Sequence, residues 1–238
     1  MEELAGVLLA LFGTWALLPD IWLRRRSCRA LGSGRRAGGR IALTFDDGPD
    51  PRVTPLVLDL LARQGVSATF FLVARKAREH PDLVRAIVRE GHEVGSHGMN
   101  HLPFWLLPPG RTRFEIKEAA ECLRKLTGQP VRCFRPPWGS FNLAAPFYAE
   151  QEAQKIVLWT LDSCDWFFLT PGRLILNRVL RQVREGSVIL FHDGRGAGRT
   201  GTALLEALPL LLEKLLERGF LPVSVGELLN LRKGEGEG

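Results

Sequence analysis

The chain has 238 residues, 45% of them hydrophobic and 24% charged, which fits one large globular domain and excludes a disordered or collagen-like polymer. Four cysteines in this length exclude a small disulfide scaffold, and none forms a C-x-x-C pair of the zinc-knuckle kind. The net charge of +6 falls to −1 without the acid-free stretch Arg24–Arg40 and its seven arginines, so the rest of the chain offers no broad basic face for nucleic acid.

The N-terminus comes first. Leu4 to Leu18 carries no charge, and extension to Leu23 adds only Asp20. As a helix, 20 such residues would span about 30 Å, one bilayer core. The acidic start Glu2-Glu3 and the lack of an A-x-A site favour an uncleaved anchor over a cleaved signal; a buried core helix is the third reading. Residues 1–23 are therefore expected to attach the chain to a membrane. Residues 24–39, rich in Arg and Gly, read as a linker, and their charge places that flank on the cytoplasmic side by the positive-inside rule. The same arginines suit anionic lipid head groups.

From residue 40 onward strand and helix alternate. Strands are expected at 40–44, 66–73, 92–96, 131–134, 155–160, 187–191 and 220–225. Helices are expected at 55–64, 82–90, 111–126, weakly at 143–154, and at 171–184 and 202–218, several stopped by a glycine (Gly65, Gly91, Gly128, Gly186, Gly219). Seven strands with helical connections argue for a parallel α/β sheet. A catalytic domain over 40–232 is short for an eight-fold barrel, so a seven-unit or irregular barrel fits best, with an open doubly wound sheet as the alternative. Residues 233–238 read as a flexible tail. No G-x-G-x-x-G or G-x-x-x-x-G-K-[ST] string calls for a nucleotide.

Polar residues gather just past the strands: TFDDGP at 44–49, HGMNH at 97–101, RPPWG at 135–139, DSCDW at 162–166 and LFH at 190–192. In a parallel barrel all of these open on one face, where active sites lie. Each string alone has a bland reading: an Asp-Asp-Gly-Pro turn, an ordinary helical His pair, a rigid Pro-Pro loop, a core Trp. Their recurrence at five strand ends argues for chemistry. Two imidazoles, His97 and His101, with one carboxylate from Asp46–Asp47 make a three-ligand metal site that leaves a position for water. The second carboxylate is then available as a base, His192 as an acid, Asp165 to orient that imidazole, and Arg135 to pin the base.

These five motifs, in this order, resemble the polysaccharide deacetylases of carbohydrate esterase family 4 over roughly residues 40–229. The resemblance implies a distorted (β/α)7 barrel as a single catalytic domain behind an N-terminal hydrophobic helix. It implies Zn²⁺, or Co²⁺ in its place, on Asp47, His97 and His101. Asp46 would be the catalytic base, held by Arg135, and His192 the acid, paired with Asp165. Trp138 would offer its backbone N–H to the oxyanion, and Trp166 and Leu190 would line the acetyl pocket. Gly98 departs from the family pattern, in which a Ser or Thr hydroxyl braces the loop, and Trp138 replaces a more common Tyr or Phe.

The activity so implied is metal-dependent removal of N-acetyl groups from N-acetylglucosamine units of an envelope polysaccharide, with peptidoglycan first, chitooligosaccharides second and acetylated xylan third. The expected partners are such a glycan and, through residues 1–23, a membrane; a monomer with no nucleic acid is expected. A wall substrate puts the domain on the envelope side, against the charge pattern, and the family's usual location decides for the envelope. The alternative of another class is a membrane-anchored glycan-binding protein without catalysis. The apolar loop HLPFWLLPPG at 101–110 has two readings, a substrate platform or a membrane-facing patch.

Overall fold

The computed structural model describes residues 13–17, 38–194 and 199–230. The expected membrane segment and linker, apart from residues 13–17 and 38–39, and the tail lie outside the described residues. Gly13–Leu17 forms one π-helical turn, and no helix among the described residues is long and apolar enough to cross a membrane.

The central strand is β1 (Arg40–Asp46), in which every residue after Arg40 is buried. An uninterrupted apolar run of this kind needs cover on both faces, which a parallel sheet flanked by helices supplies. β1 lies between β2 (Thr69–Leu72) and β7 (Val188–His192), parallel to both, while β8 (Leu221–Val223) pairs with its first residues. Beyond β2 come β3 (Glu93–Ser96), β4 (Cys133–Phe134) and β5 (Lys155–Ile156); beyond β7 comes β6 (Leu161–Asp162). The order β5-β4-β3-β2-β1-β7-β6 is parallel throughout and curls into a (β/α)7-like barrel, which sets aside the open doubly wound sheet.

The helices are α1 (Thr54–Arg63), α2 (Ala74–Glu79), α3 (Pro81–Arg89), α4 (Pro109–Thr127), α5 (Ala145–Gln151), α6 (Gly172–Gln182), α7 (Arg199–Glu217) and α8 (Val225–Leu228). The main core lies between the sheet and α1, α3, α4, α6 and α7, and includes Phe45, Phe70, Ile189 and Phe191. Alternation along β7 turns Ile189 and Phe191 outward into that core and leaves Leu190 and His192 on the opposite face.

Three elements differ from the sequence pattern. α2 and α8 are extra helices, too short and, in α2, too charged for periodicity to find. The expected strand at 155–160 holds only β5, at its start. β5 pairs with β4 and the next strand, β6, pairs with β7 on the opposite margin of the sheet, so residues 157–160 carry the chain across the seam between them. The apolar run Ile156 to Trp159 continues past the end of β5 and reads as one strand; only the pairing partners show where it stops.

Phe45 joins the strands on either side of β1: its ring centroid is 5.0 Å from that of Phe70 and 5.6 Å from that of Phe191, both stacked. Phe45→Ala is expected to lower unfolding free energy by about 3–5 kcal/mol through lost burial and a residual cavity. Chemical denaturation read by fluorescence checks this.

Candidate active site

The end of β1 and the end of β7 face each other in register: the Cα partner of Asp46 is His192. The ladder therefore delivers a carboxylate and an imidazole to one place without help from a loop. The next residue, Asp47, leaves the strand at φ 71°, which turns its side chain away from that of Asp46. Gly48 follows because a Cβ there would lie 2.5 Å from the Asp193 carboxylate.

Asp47 meets the loop after β3. Its Oδ1 is 2.8 Å from His101 Nε2 and 3.3 Å from His97 Nε2. Burial pushes the Asp47 carboxyl up, but hydrogen bonds and charge from His101 and His97 outweigh it and hold the group well below the usual carboxylate range. The ligand atoms of Asp47, His97 and His101 all lie within 4.8 Å of one another. His97 Nδ1 donates to the Arg135 carbonyl at 2.6 Å, which fixes the tautomer and leaves the Nε2 lone pair aimed at Asp47. One anionic oxygen and two imidazole nitrogens, one of them locked by an outer carbonyl, fit a divalent cation of the zinc class.

Arg135 is completely buried at the end of β4. Its Nη1 donates to Asp46 Oδ1 at 2.7 Å and to Thr44 Oγ1 at 2.8 Å, and Nε and Nη2 donate to the carbonyls of Val157 and Leu158 at 3.0 and 3.2 Å. Those carbonyls are unpaired by the sheet because the chain crosses the seam there. The guanidinium lies 4.0 Å above the Phe71 ring. Burial draws its pKa down and Asp46 pushes back. Only Oδ2 of Asp46 is left toward the site, 3.8 Å from His97 Nε2.

On the opposite wall, Asp165 Oδ1 accepts from His192 Nδ1 at 2.8 Å and Oδ2 accepts from the His192 backbone N–H at 2.8 Å. Ser163 Oγ donates to the same carboxylate at 3.0 Å. Burial draws the His192 pKa down, but Asp165, with Asp46 and Asp47, overrides it and raises the value to about 9. Trp138 adopts φ 56° at the 3₁₀ turn Pro137–Gly139, and its ring lies 4.5 Å from that of His101. Leu190 is buried two residues before His192 on the same face, and Trp166 is exposed with Nε1 donating to Asp162 Oδ2 at 3.3 Å. All ten residues singled out from the sequence thus stand at the C-terminal ends of the strands.

A family model described as polysaccharide deacetylase matches residues 33–157, more than half of the chain. The chain belongs to this family. The match takes in the first three motifs, and individual relatives extend it. A peptidoglycan-N-acetylglucosamine deacetylase of Bacillus cereus is 37% identical over 195 residues, covering 81% of this chain and 89% of that protein. A solved peptidoglycan N-acetylglucosamine deacetylase superposes with a TM-score of 0.76 at 33% identity, covering 80% of this chain and 87% of that one. A CE4 family pseudoenzyme from Bacillus anthracis superposes with a TM-score of 0.74 at 29% identity, covering 80% and 65%. The deacetylase fold is thus shared with a non-catalytic relative, and activity has to be argued from side chains.

Several residues of this polysaccharide deacetylase have no signal in the sequence. Glu115, fully buried on α4, accepts from the backbone and side-chain N–H groups of Asn100 at 2.7 Å each and pairs with Arg111 at 2.9 Å. It braces the metal-site loop where the family's Ser or Thr hydroxyl is missing: a Cβ at Gly98 would lie 3.7 Å from Glu115 Oε2. Lys76 on α2 donates to the carbonyls of Asp47 and Gly194 at 2.8 and 2.7 Å, clamping the two active-site turns. Asn142 holds the 102–108 loop through the carbonyls of Phe104 and Leu107. Apart from Arg111, one turn from Glu115, each partner is 15 or more residues away, so no local pattern points to it.

Glu115→Ala is expected to weaken divalent-metal affinity by about 10–100-fold, the usual effect of removing an outer support of a ligand. Chelator competition, with circular dichroism as the fold control, measures it.

Proposed function

We propose that this chain hydrolyses the N-acetyl group of N-acetylglucosamine units in an envelope glycan, with peptidoglycan as the first substrate and chitooligosaccharides as the second. The observation that carries the reading is the β1–β7 register, which sets an acid and a base on either side of one three-ligand metal site. The family membership and the 37% identity to a peptidoglycan deacetylase support the substrate class.

Zn²⁺ is the cation the ligand set favours, with Co²⁺ able to replace it; when bound at Asp47, His97 and His101 it polarises the amide carbonyl and makes water more acidic. The protein's own groups divide the proton work. Asp46, pinned through Oδ1 by Arg135, takes the proton of the attacking water at Oδ2. The backbone N–H of Trp138 donates to the carbonyl oxygen as it gains negative charge. His192, protonated on both nitrogens and held through Nδ1 by Asp165, gives its Nε2 proton to the amine as the C–N bond breaks. The products are acetate and a glucosamine unit. Leu190 and Trp166 flank the acetyl methyl. The two neighbouring carboxylates take different roles because one faces a guanidinium and the other two imidazoles.

A membrane location on the envelope side completes the reading, from the apolar run at residues 4–23 and the wall substrate.

The test is acetate release from peptidoglycan, chitooligosaccharides and acetylated xylan, with full-length protein stripped by a chelator and then restored with Zn²⁺. The expected result is metal-dependent acetate from peptidoglycan, with Asp46→Asn lowering turnover by at least about a hundredfold. Binding of glycan without acetate, unchanged in Asp46→Asn, would replace the enzyme with a glycan-binding protein.

The pH profile offers a second test. His192 has to carry its proton to act, and its raised pKa keeps it charged through neutrality, so the rate is expected to fall as pH rises through about 9. Asp165→Asn removes the charge that raises this pKa and moves the alkaline limb to lower pH by about one unit or more. The same linkage gives folding stability that is complete below the unfolded histidine value and is lost as pH climbs through about 9.

A further inference from the structure

Beyond His101, the apolar loop after β3 has no part in the chemistry above. Leu106 on its 3₁₀ turn (Phe104–Leu106) is 57% exposed, Leu143 in the loop after β4 is 61% exposed, and Phe147 on α5 is 58% exposed. Phe168 and Leu169, in the loop after β6, are 61% and 62% exposed. All these segments follow C-terminal strand ends, so they open at the same end of the barrel as the catalytic residues. Large side chains this exposed and grouped at one end mark a binding surface. Three of the five are leucines, and a leucine side chain offers no flat face for a sugar ring.

The described part of the N-terminal apolar run lies on this same surface. The Gly13–Leu17 turn packs against the Phe104–Leu106 turn, and the Trp15 carbonyl accepts a hydrogen bond from Leu143 N at 3.0 Å. Trp15 is in the middle of the run from Leu4 to Leu23. In a helix that crossed the bilayer, that midpoint would be roughly 15 Å from either interface, out of reach of a catalytic domain, and its carbonyl would be used within the helix. A Trp15 carbonyl that bonds to the domain's own backbone is therefore not at the centre of a spanning helix, and suits a segment held at an interface.

We infer that this chain docks on a lipid bilayer as a monotopic protein, through one composite apolar face made of the Gly13–Leu17 turn, Leu106, Leu143 and Phe147, with Phe168 and Leu169 extending it, so that the catalytic mouth opens toward the membrane surface. The inference rests on the membrane association proposed above and not on the deacetylation chemistry. Charge fits the same partner, since the sequence following the apolar run carries seven arginines and no acid between Arg24 and Arg40, which suits anionic head groups. A substrate presented there is a glycan still close to the bilayer.

The experiment compares the full chain with a Leu106→Ser, Leu143→Ser, Phe147→Ser variant on vesicles of phosphatidylcholine and of phosphatidylcholine with phosphatidylglycerol, by co-sedimentation. Wild type is expected to bind, more tightly with phosphatidylglycerol, and to be released by alkaline carbonate. The variant is expected to lose about tenfold or more in partitioning. Its acetate release from soluble chitooligosaccharides is expected to stay at the wild-type level, showing that it is folded. Equal binding of variant and wild type, or resistance to carbonate, would overturn the inference in favour of a spanning anchor. No vesicle binding by either would overturn the membrane reading as well. A wild-type dimer in sedimentation velocity that the variant lacks, without vesicle binding, would assign the face to a second copy of the chain. None of these outcomes bears on acetate release, which tests the hydrolase reading separately.

Discussion

A guanidinium with no access to water has to find every one of its partners inside the protein, and the site is arranged around how Arg135 does so. It reaches Asp46 and Thr44 on β1, the carbonyls of residues 157 and 158 at the seam, and the face of Phe71 on β2, while its own carbonyl takes the Nδ1 proton of His97. One residue thus touches the proposed base, a proposed metal ligand and the point where the barrel stays open. A buried cation left short of partners carries a penalty of several kcal/mol, so these contacts fix one another. The break between β5 and β6 belongs to the same account: a continuous strand through residues 157 and 158 would have spent their carbonyls on a neighbour.

Charge then separates groups that share a chemical type. Asp46 and Asp47 are adjacent in sequence, yet one faces a guanidinium and the other two imidazoles. The histidines diverge in the same way. His192, backed by the Asp165 carboxylate, is held protonated to about 9. His92, at the opposite ends of the strands, is pushed by burial alone down to about 4. Neither value follows from the residue type. Each follows from whether a carboxylate accompanies the ring out of water.

The exposed leucine and phenylalanine side chains at the mouth, with the Trp15 carbonyl bonded beside them, are the ground for the proposed docking on a bilayer. The fold is shared even with a pseudoenzyme, so what this chain does rests on its own side chains and on supports such as Glu115 and Asn142.

The ten candidate residues were legible in the sequence because each closes a short apolar strand, and in a parallel α/β fold all such ends meet on one face. The strands and long helices were legible from periodicity and from glycine stops such as Gly128, which takes the left-handed cap at φ 66°. The end of β5 at Ile156 and the crossing to β6 were not, because Ile156 to Trp159 is one apolar run and only the partners, β4 and β7, show where the strands lie. Nor was the brace of Glu115, which the sequence presents as one more acid on an amphipathic helix. Local composition determines what a segment becomes and which groups it carries to the end of a strand. Which buried charge meets which partner is decided by the tertiary structure, since burial makes that pairing obligatory and the partners come from distant segments of the chain.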